Sequence, residues 1–197
     1  MEDHRVYVGG DFEKIGQWQF DFLLNQGSLK PNNIFLDIAC GSLRLGRKMI
    51  PYLDDNCYFG IDSNEEILKK GIELELKDES KSPQFSVNSN FDFSFCTKYD
   101  IAWANSLFSH LTKDDILLCL TNLKKISNIT SIFYFTYFET TNKNMEDKNP
   151  NESHARKDFY YNYETIENLA SKSGWNIEKI KNTDHPRNQK IIKARIK

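Results

Sequence analysis

The chain has 197 residues, enough to bury one sizeable core without a metal or disulfide staple, so a single domain over residues 1–197 is expected. Hydrophobic residues at 39% and charged residues at 27% match a soluble globular protein and speak against disordered or membrane-spanning classes. A formal charge of -2 supplies no global field to recruit nucleic acid, although residues 179–197 are locally basic.

Cys40, Cys57, Cys96 and Cys119 show neither a Cys-x-x-Cys pair nor a His at ligand spacing, so no metal site and no disulfide framework is expected. The longest strongly apolar run, Ile132 to Phe138, is too short for a bilayer span, and the opening Glu2-Asp3-His4-Arg5 is no apolar signal. A cytoplasmic protein without membrane insertion is the expectation.

In chain order, residues 1–30 form a leader in which Phe12, Ile15, Gln19 or Phe20, and Leu23 predict a helix over 11–24. Ile34 to Ile38 reads as a strand buried on both faces. The small-residue turn Ala39-Cys40-Gly41-Ser42 leads into a helix predicted over 43–53. A strand over 57–61 and a helix over 64–76 follow, the latter with Ser63 as its expected cap and Glu66 three residues on. Strands are then predicted over 84–88 and 99–104, a helix over 112–126 from a Thr112/Asp115 cap, and a strand over 131–138. A helix over 163–172 ends at Gly174, and strands over 175–180 and 191–196 close the chain. This alternation predicts an α/β fold: a Rossmann-like, mostly parallel seven-stranded sheet with helices on both faces. No helix separates the last two strands, so they should pair as a C-terminal antiparallel hairpin. Residues 139–158 lack periodicity and read as a mobile active-site lid loop.

The chemistry gathers at strand ends. Asp37 closes the first strand before a turn of small residues, which lets a ligand approach the backbone, and the amides of a helix start can receive an anionic group. Asp62 follows the second strand, so two carboxylates stand at the carboxyl ends of adjacent strands, where an acid can take both hydroxyls of a ribose. A dinucleotide pyrophosphate is poorly served, since Gly41 is the one clear glycine of the turn.

Asp37 through Arg44 resembles the first motif of class I S-adenosylmethionine (SAM)-dependent methyltransferases, usually Asp-x-Gly-x-Gly, and Gly60-Ile61-Asp62 resembles the second. Tyr99-Asp100-Ile101-Ala102 with Asn105 to Leu111 is similar to the family's fourth-strand motif, and Val8 to Gly16 resembles a leader of small bacterial members. Ala39 stands where the family prefers Gly, and Leu43 and Leu45 occupy positions that are often Gly. The resemblance implies SAM as cofactor and S-adenosylhomocysteine (SAH) as product. It implies Ala39 and Gly41 against the methionine part, Asp37 toward its ammonium, Arg44 toward its carboxylate, Asp62 on the ribose, Asn90 and Phe91 around the adenine, and Ser106 with His110 near the methyl. It also implies that the leader closes over the methionine end.

The turn after the fourth strand reads Asn105-Ser106-Leu107-Phe108 and lacks the Pro-Pro pair of adenine and cytosine-N4 enzymes. No cysteine follows a proline, as a cytosine-C5 nucleophile would. A small-molecule acceptor is therefore expected, with His110 as general base. The resemblance suggests oxygen methylation of a surface-saccharide precursor, such as a capsule sugar or a phosphoramidate group. The turn between the last two strands offers His185 and Arg187, and the lid offers His154, Arg156 and Lys157, a cationic set suited to an anionic acceptor. The alternatives are a catalytically silent SAM-binding scaffold and a nucleotide-dependent oxidoreductase.

Overall fold

In a computed structural model of the protein, residues 3–76, 80–181 and 183–197 are described. Its contacts group into two units, Met1–Ser89 with Tyr99–Ile101, and Asn90–Lys98 with Ala102–Lys197. Among the described residues, eight strands make a mixed, mostly parallel sheet with a C-terminal antiparallel hairpin.

The first unit opens with α1 (His4–Tyr7), a single turn too short to show a period, followed by α2 (Phe12–Asn25). Asp11 caps α2 by accepting the Lys14 N–H at 2.9 Å, and Phe12, Ile15, Phe22 and Leu23 form its buried stripe. The strands β1 (Phe35–Ile38), β2 (Tyr58–Asp62) and β3 (Gln84–Val87) pair in parallel in the order β3-β2-β1. Every residue of β1 is buried, and Asp37 lies opposite Gly60 in the β1/β2 register.

Two helices depart from the sequence expectation. The helix expected from residue 43 begins only at Gly46, giving α3 (Gly46–Tyr52), because Leu43 adopts a left-handed φ of 62° that no helix can include. The helix α4 (Glu65–Glu75) is capped by Asn64, whose side chain accepts the Ile67 N–H at 3.2 Å, and not by Ser63. Leu43, wholly buried, joins Cys40 and Leu68, with Ile72 and Phe85 packed against them. Burying a leucine contributes roughly 2 kcal/mol, enough to offset the roughly 1–2 kcal/mol of a left-handed non-glycine residue.

The second unit holds the last three residues of β4 (Ile101–Ala104), then α5 (Lys113–Lys124), β5 (Ile132–Glu139), α6 (Lys143–Glu146), β6 (Tyr160–Tyr161), α7 (Tyr163–Lys172), β7 (Trp175–Lys179) and β8 (Lys190–Ile196). The order is β4-β5-β8-β7, with β8 antiparallel to both neighbours, so β7 runs in the direction of β5. The seven expected strands are joined by β6, two residues pairing in parallel with the end of β5. Phe108, Phe133, Phe135 and Trp175 form an aromatic core whose ring centroids lie 4.5–6.1 Å apart, and the Trp175 indole N–H donates to the Leu120 carbonyl.

Residues 139–158 are not the loose loop their composition suggests. The segment contains α6, and Glu146 is buried where it accepts from Lys113, the Asn162 amide N–H and the Thr165 hydroxyl. Asn149 exchanges two hydrogen bonds with the Tyr160 backbone. Polar-to-polar stitching holds this stretch, a kind of order that hydrophobic periodicity cannot report. Among the described residues no helix is long and apolar enough to cross a membrane.

Gly71 sets how closely α4 approaches the turn after β1, because an added Cβ would lie 2.6–2.8 Å from the Ser42 backbone. Helix propensity alone would make Gly71→Ala stabilising by up to about 1 kcal/mol. Overpacking against backbone should win, destabilising the protein by about 1–3 kcal/mol in urea unfolding.

Candidate functional site

At the carboxyl ends of β1 and β2 the first unit places Asp37, the turn 39–43 and Asp62. Asp37 is 4% exposed, and the Tyr58 hydroxyl donates to its Oδ2 at 2.7 Å. Among the described residues no cation forms an ion pair with it. Burial, only partly countered by the Tyr58 hydrogen bond and the Arg44 charge and reinforced by the Asp62 charge, pushes its carboxyl up to about 7. Sequence reasoning missed Tyr58. Its signal is the period of two along β2, which puts residues 58, 60 and 62 on one side, with Asp37 facing Gly60 in register.

Asp62 binds the turn. Its Oδ2 accepts the Gly41 N–H at 2.8 Å and its Oδ1 the Asn64 N–H at 2.8 Å. Burial raises its carboxyl, with the Asn64, Gly41 and Ser63 amides opposing. Ala39, Gly41 and Leu43 all take left-handed backbone, at φ 61°, 56° and 62°. This alternation explains a glycine preference at these positions, and here alanine and leucine accept the strain. The Gly41 amide thus serves Asp62, not a ligand, and the short α3 starts five residues later than Gly41.

The leader lies on this turn. Val8 Cγ1 would meet a Cβ at Gly41 at 2.9 Å, the Ser42 hydroxyl donates to the His4 carbonyl, and Asn64 donates to the Tyr7 hydroxyl. Arg44, expected to face a ligand carboxylate, donates instead through Nη1 to the Gly9 carbonyl at 2.7 Å and the Val8 carbonyl at 3.3 Å.

The second unit carries the other expected residues. Asn90 is exposed and its carbonyl accepts from Asn122, while Phe91 takes a φ of 55° beside the Phe93 ring. Ser106 is buried with φ 59°. Its N–H donates to Thr136 Oγ1 at 2.7 Å and its hydroxyl to Gln189 Oε1 at 3.1 Å, so it fixes the turn after β4 from within. Gln189, which the sequence reading passed over in a polar turn, also accepts from the Thr136 hydroxyl and donates to the Ser109 hydroxyl.

His185 corrects an expectation. Taken from sequence as a cationic group, it is 4% exposed, and its Nδ1 accepts the backbone N–H of Arg187 at 3.1 Å. A nitrogen that accepts carries no proton, so the ring is neutral and Nε2–H donates to Asn105 Oδ1 at 3.0 Å. His110 is arranged the opposite way. Its Nδ1 faces the Lys157 carbonyl at 2.8 Å, an acceptor only, so Nδ1 holds a proton and in the neutral ring Nε2 is the nitrogen with the lone pair. Burial lowers the imidazole, the Lys157 hydrogen bond opposes this, and the Arg187 charge lowers it further.

Arg187 Nη2 meets Asp158 at 3.4 Å with its guanidinium 5.4 Å from the Phe138 ring centre. Arg156 is exposed, its N–H donating to His154 Nδ1, and the His154 N–H donates to the His110 carbonyl. The structure thus groups His110, Lys157, Asp158 and Arg187, leaves Arg156 at the surface and withdraws His185 into a closed network.

No family model matches the sequence. The fold is that of solved methyltransferases. A S-adenosylmethionine-dependent methyltransferase from Clostridium acetobutylicum aligns at TM-score 0.69 and 14% identity over 95% of this chain and 92% of its own. Magnesium protoporphyrin IX methyltransferase from Synechocystis with bound SAH aligns at 0.69 and 15%, over 99% and 94%. The CcbJ methyltransferase from Streptomyces caelestis aligns at 0.65 and 13%, over 97% and 98%.

Asp37 provides a test that needs no ligand. An unfolded Asp ionises near 3.8, whereas the folded chain keeps this proton until about 7, so stability falls as pH rises between those values. Asp37→Asn retains an acceptor for Tyr58 and should melt above the parent at pH 8, by an amount on the order of a few kcal/mol, with the gap closing toward pH 5. Parallel melting curves across that range would show that Asp37 is not held protonated.

Proposed function

We propose that this chain is a SAM-dependent methyltransferase acting on an oxygen of a small anionic acceptor. The observation that carries the reading is Asp37, a buried carboxyl group with no ion-pair partner among the described residues, kept at a cost to stability beside a strained turn. Such a site fits a ligand that brings its own positive charge, and the ammonium of SAM is one. Asp62 is proposed for the ribose hydroxyls, using lone pairs beyond those taken by the Gly41 and Asn64 amides, and Ala39 and Gly41 for close backbone contact. Asn90 and Phe91 are proposed for the adenine, Phe91 offering a half-buried ring. Arg44 acts through the leader it holds. SAM, when bound, supplies an electrophilic methyl.

The second unit is proposed to handle the acceptor. His110, neutral and with Nε2 unprotonated, takes the proton of an acceptor hydroxyl at Nε2, and the imidazolium so formed keeps its Nδ1–H on the Lys157 carbonyl. Arg187, oriented by Phe138 and Asp158, holds the acceptor's anionic group, with Arg156 as an outer contact. Residues 150–158, the largely exposed end of the stretch pinned by Glu146 and Asn149, are proposed as the cover. A capsule-sugar precursor or a phosphoramidate-bearing group has the required hydroxyl and anion.

Calorimetry should show SAM and SAH binding that tightens as pH rises through about 7, where Asp37 ionises, and then levels off. Asp62→Ala should weaken both by roughly 1–3 kcal/mol, and an unchanged affinity removes Asp62 from the site. With an acceptor found, kcat should fall as pH drops below the ordinary imidazole value, and His110→Ala should abolish that limb. Arg187→Ala should raise the acceptor KM by about 1.5–3 kcal/mol and leave SAM binding alone, whereas a neutral alcohol as the best acceptor would contradict the anionic assignment.

A further inference from the structure

The first unit contains a charge cluster that the proposed chemistry does not use. Glu75, in the last turn of α4, is 5% exposed. It accepts from His4 Nε2 at 2.7 Å, Arg5 Nε at 2.6 Å and Arg5 Nη2 at 2.8 Å, with Arg47 Nη1 3.4 Å away. Burial by itself would raise the carboxyl, and the Arg5 and His4 hydrogen bonds outweigh it, holding it below its ordinary value. Arg5 and Arg47 also approach the Phe12 ring, at 5.0 and 6.0 Å, and both reach Glu13 at the start of α2.

The position of this cluster gives it a consequence beyond local stability. α1 buries no residue fully, so apolar packing contributes little to holding it. Its bond to Glu75 is the strongest of its attachments by charge, and the same short segment continues into Tyr7, Val8 and Gly9, which rest on Asn64, Gly41 and Arg44. A displacement of α1 therefore uncovers the turn between Asp37 and Asp62. Its other described contacts include the exposed Arg5–Glu13 ion pair, the approach of Arg5 to the Phe12 ring and neutral hydrogen bonds, whereas the Glu75 clasp joins charges at a buried carboxylate.

From this geometry we propose that Glu75 is the clasp of a cofactor gate: its grip on His4 and Arg5 keeps the leader over the turn after β1, and its release sets the rate at which SAM enters and SAH leaves. The inference rests on the cofactor site proposed above. A ligand can neither enter nor leave the site beneath the leader faster than the leader lifts, so weakening the clasp should raise the association and dissociation rates together and change the affinity less than either.

The test is stopped-flow release of SAH from the full-length protein, with hydrogen exchange of residues 4–9 recorded alongside. Glu75→Gln keeps the shape and removes the charge. It should speed SAH release roughly tenfold or more and raise amide exchange in the leader. Arg5→Ala, on the exposed side of the clasp, should do the same to a similar extent, and it decides the matter alone if Glu75→Gln fails to fold. Faster leader exchange with unchanged SAH release in both variants would overturn the gate while leaving the cofactor site standing. Unchanged leader exchange would overturn the clasp. Failure of the parent protein to bind SAH would instead remove the function proposed above and the gate with it.

Discussion

The hydrogen bond from the Gly41 N–H to Asp62 Oδ2 joins the end of β2 to the turn that follows β1, and the surrounding structure is arranged on that joint. Three of the five residues from 39 to 43 occupy left-handed backbone, two of them without the freedom of glycine. Such a turn persists only when neighbours over-determine it. Asp62 holds it from below, the Leu43 side chain anchors it in the core, α4 closes on it through Gly71, and the leader lies across Gly41 and Ser42. Each contact is small, and together they maintain a conformation that a free chain of this sequence would leave.

Asp37 shows the opposite balance. Its burial costs stability, and the Tyr58 hydroxyl compensates only in part. A hydrophobic or amide side chain would serve the fold better. The two carboxylates thus act in opposite senses on the fold, Asp37 against it and Asp62 for it by ordering the turn.

The second unit solves a related problem with neutral groups. The turn after β4 is held by Ser106, Ser109, Thr136 and Gln189, in a buried network where the glutamine amide accepts at one end and donates at the other. His185 completes it by accepting backbone N–H at Nδ1 and donating to Asn105. A protonated His185 would present an N–H where an amide already points, so the network selects the neutral ring. The His110 ring takes no part in this network, and in its neutral form a single carbonyl gives it the other tautomer. The two histidines thereby acquire distinct chemistry from their acceptors and donors.

The order of elements, the parallel sheet and the closing hairpin were legible in the sequence because they rest on local periodicity: the stripe of α2, the apolar runs of β1 and β5, the Thr112 cap and the missing helix between the last two strands. The pair Asp37 and Asp62 was legible too, since strand ends in an α/β sheet are predictable from that order. Other features were decided only by tertiary contact. Tyr58 reaches Asp37 through sheet register, Glu75 meets His4 and Arg5 across about 70 residues, and His185 and Arg187 part company because one ring finds partners inside the network while the other side chain finds them at its edge. Long-range polar pairing leaves no period in the chain, because a hydrogen bond depends on where two groups meet in space and not on their spacing along the sequence.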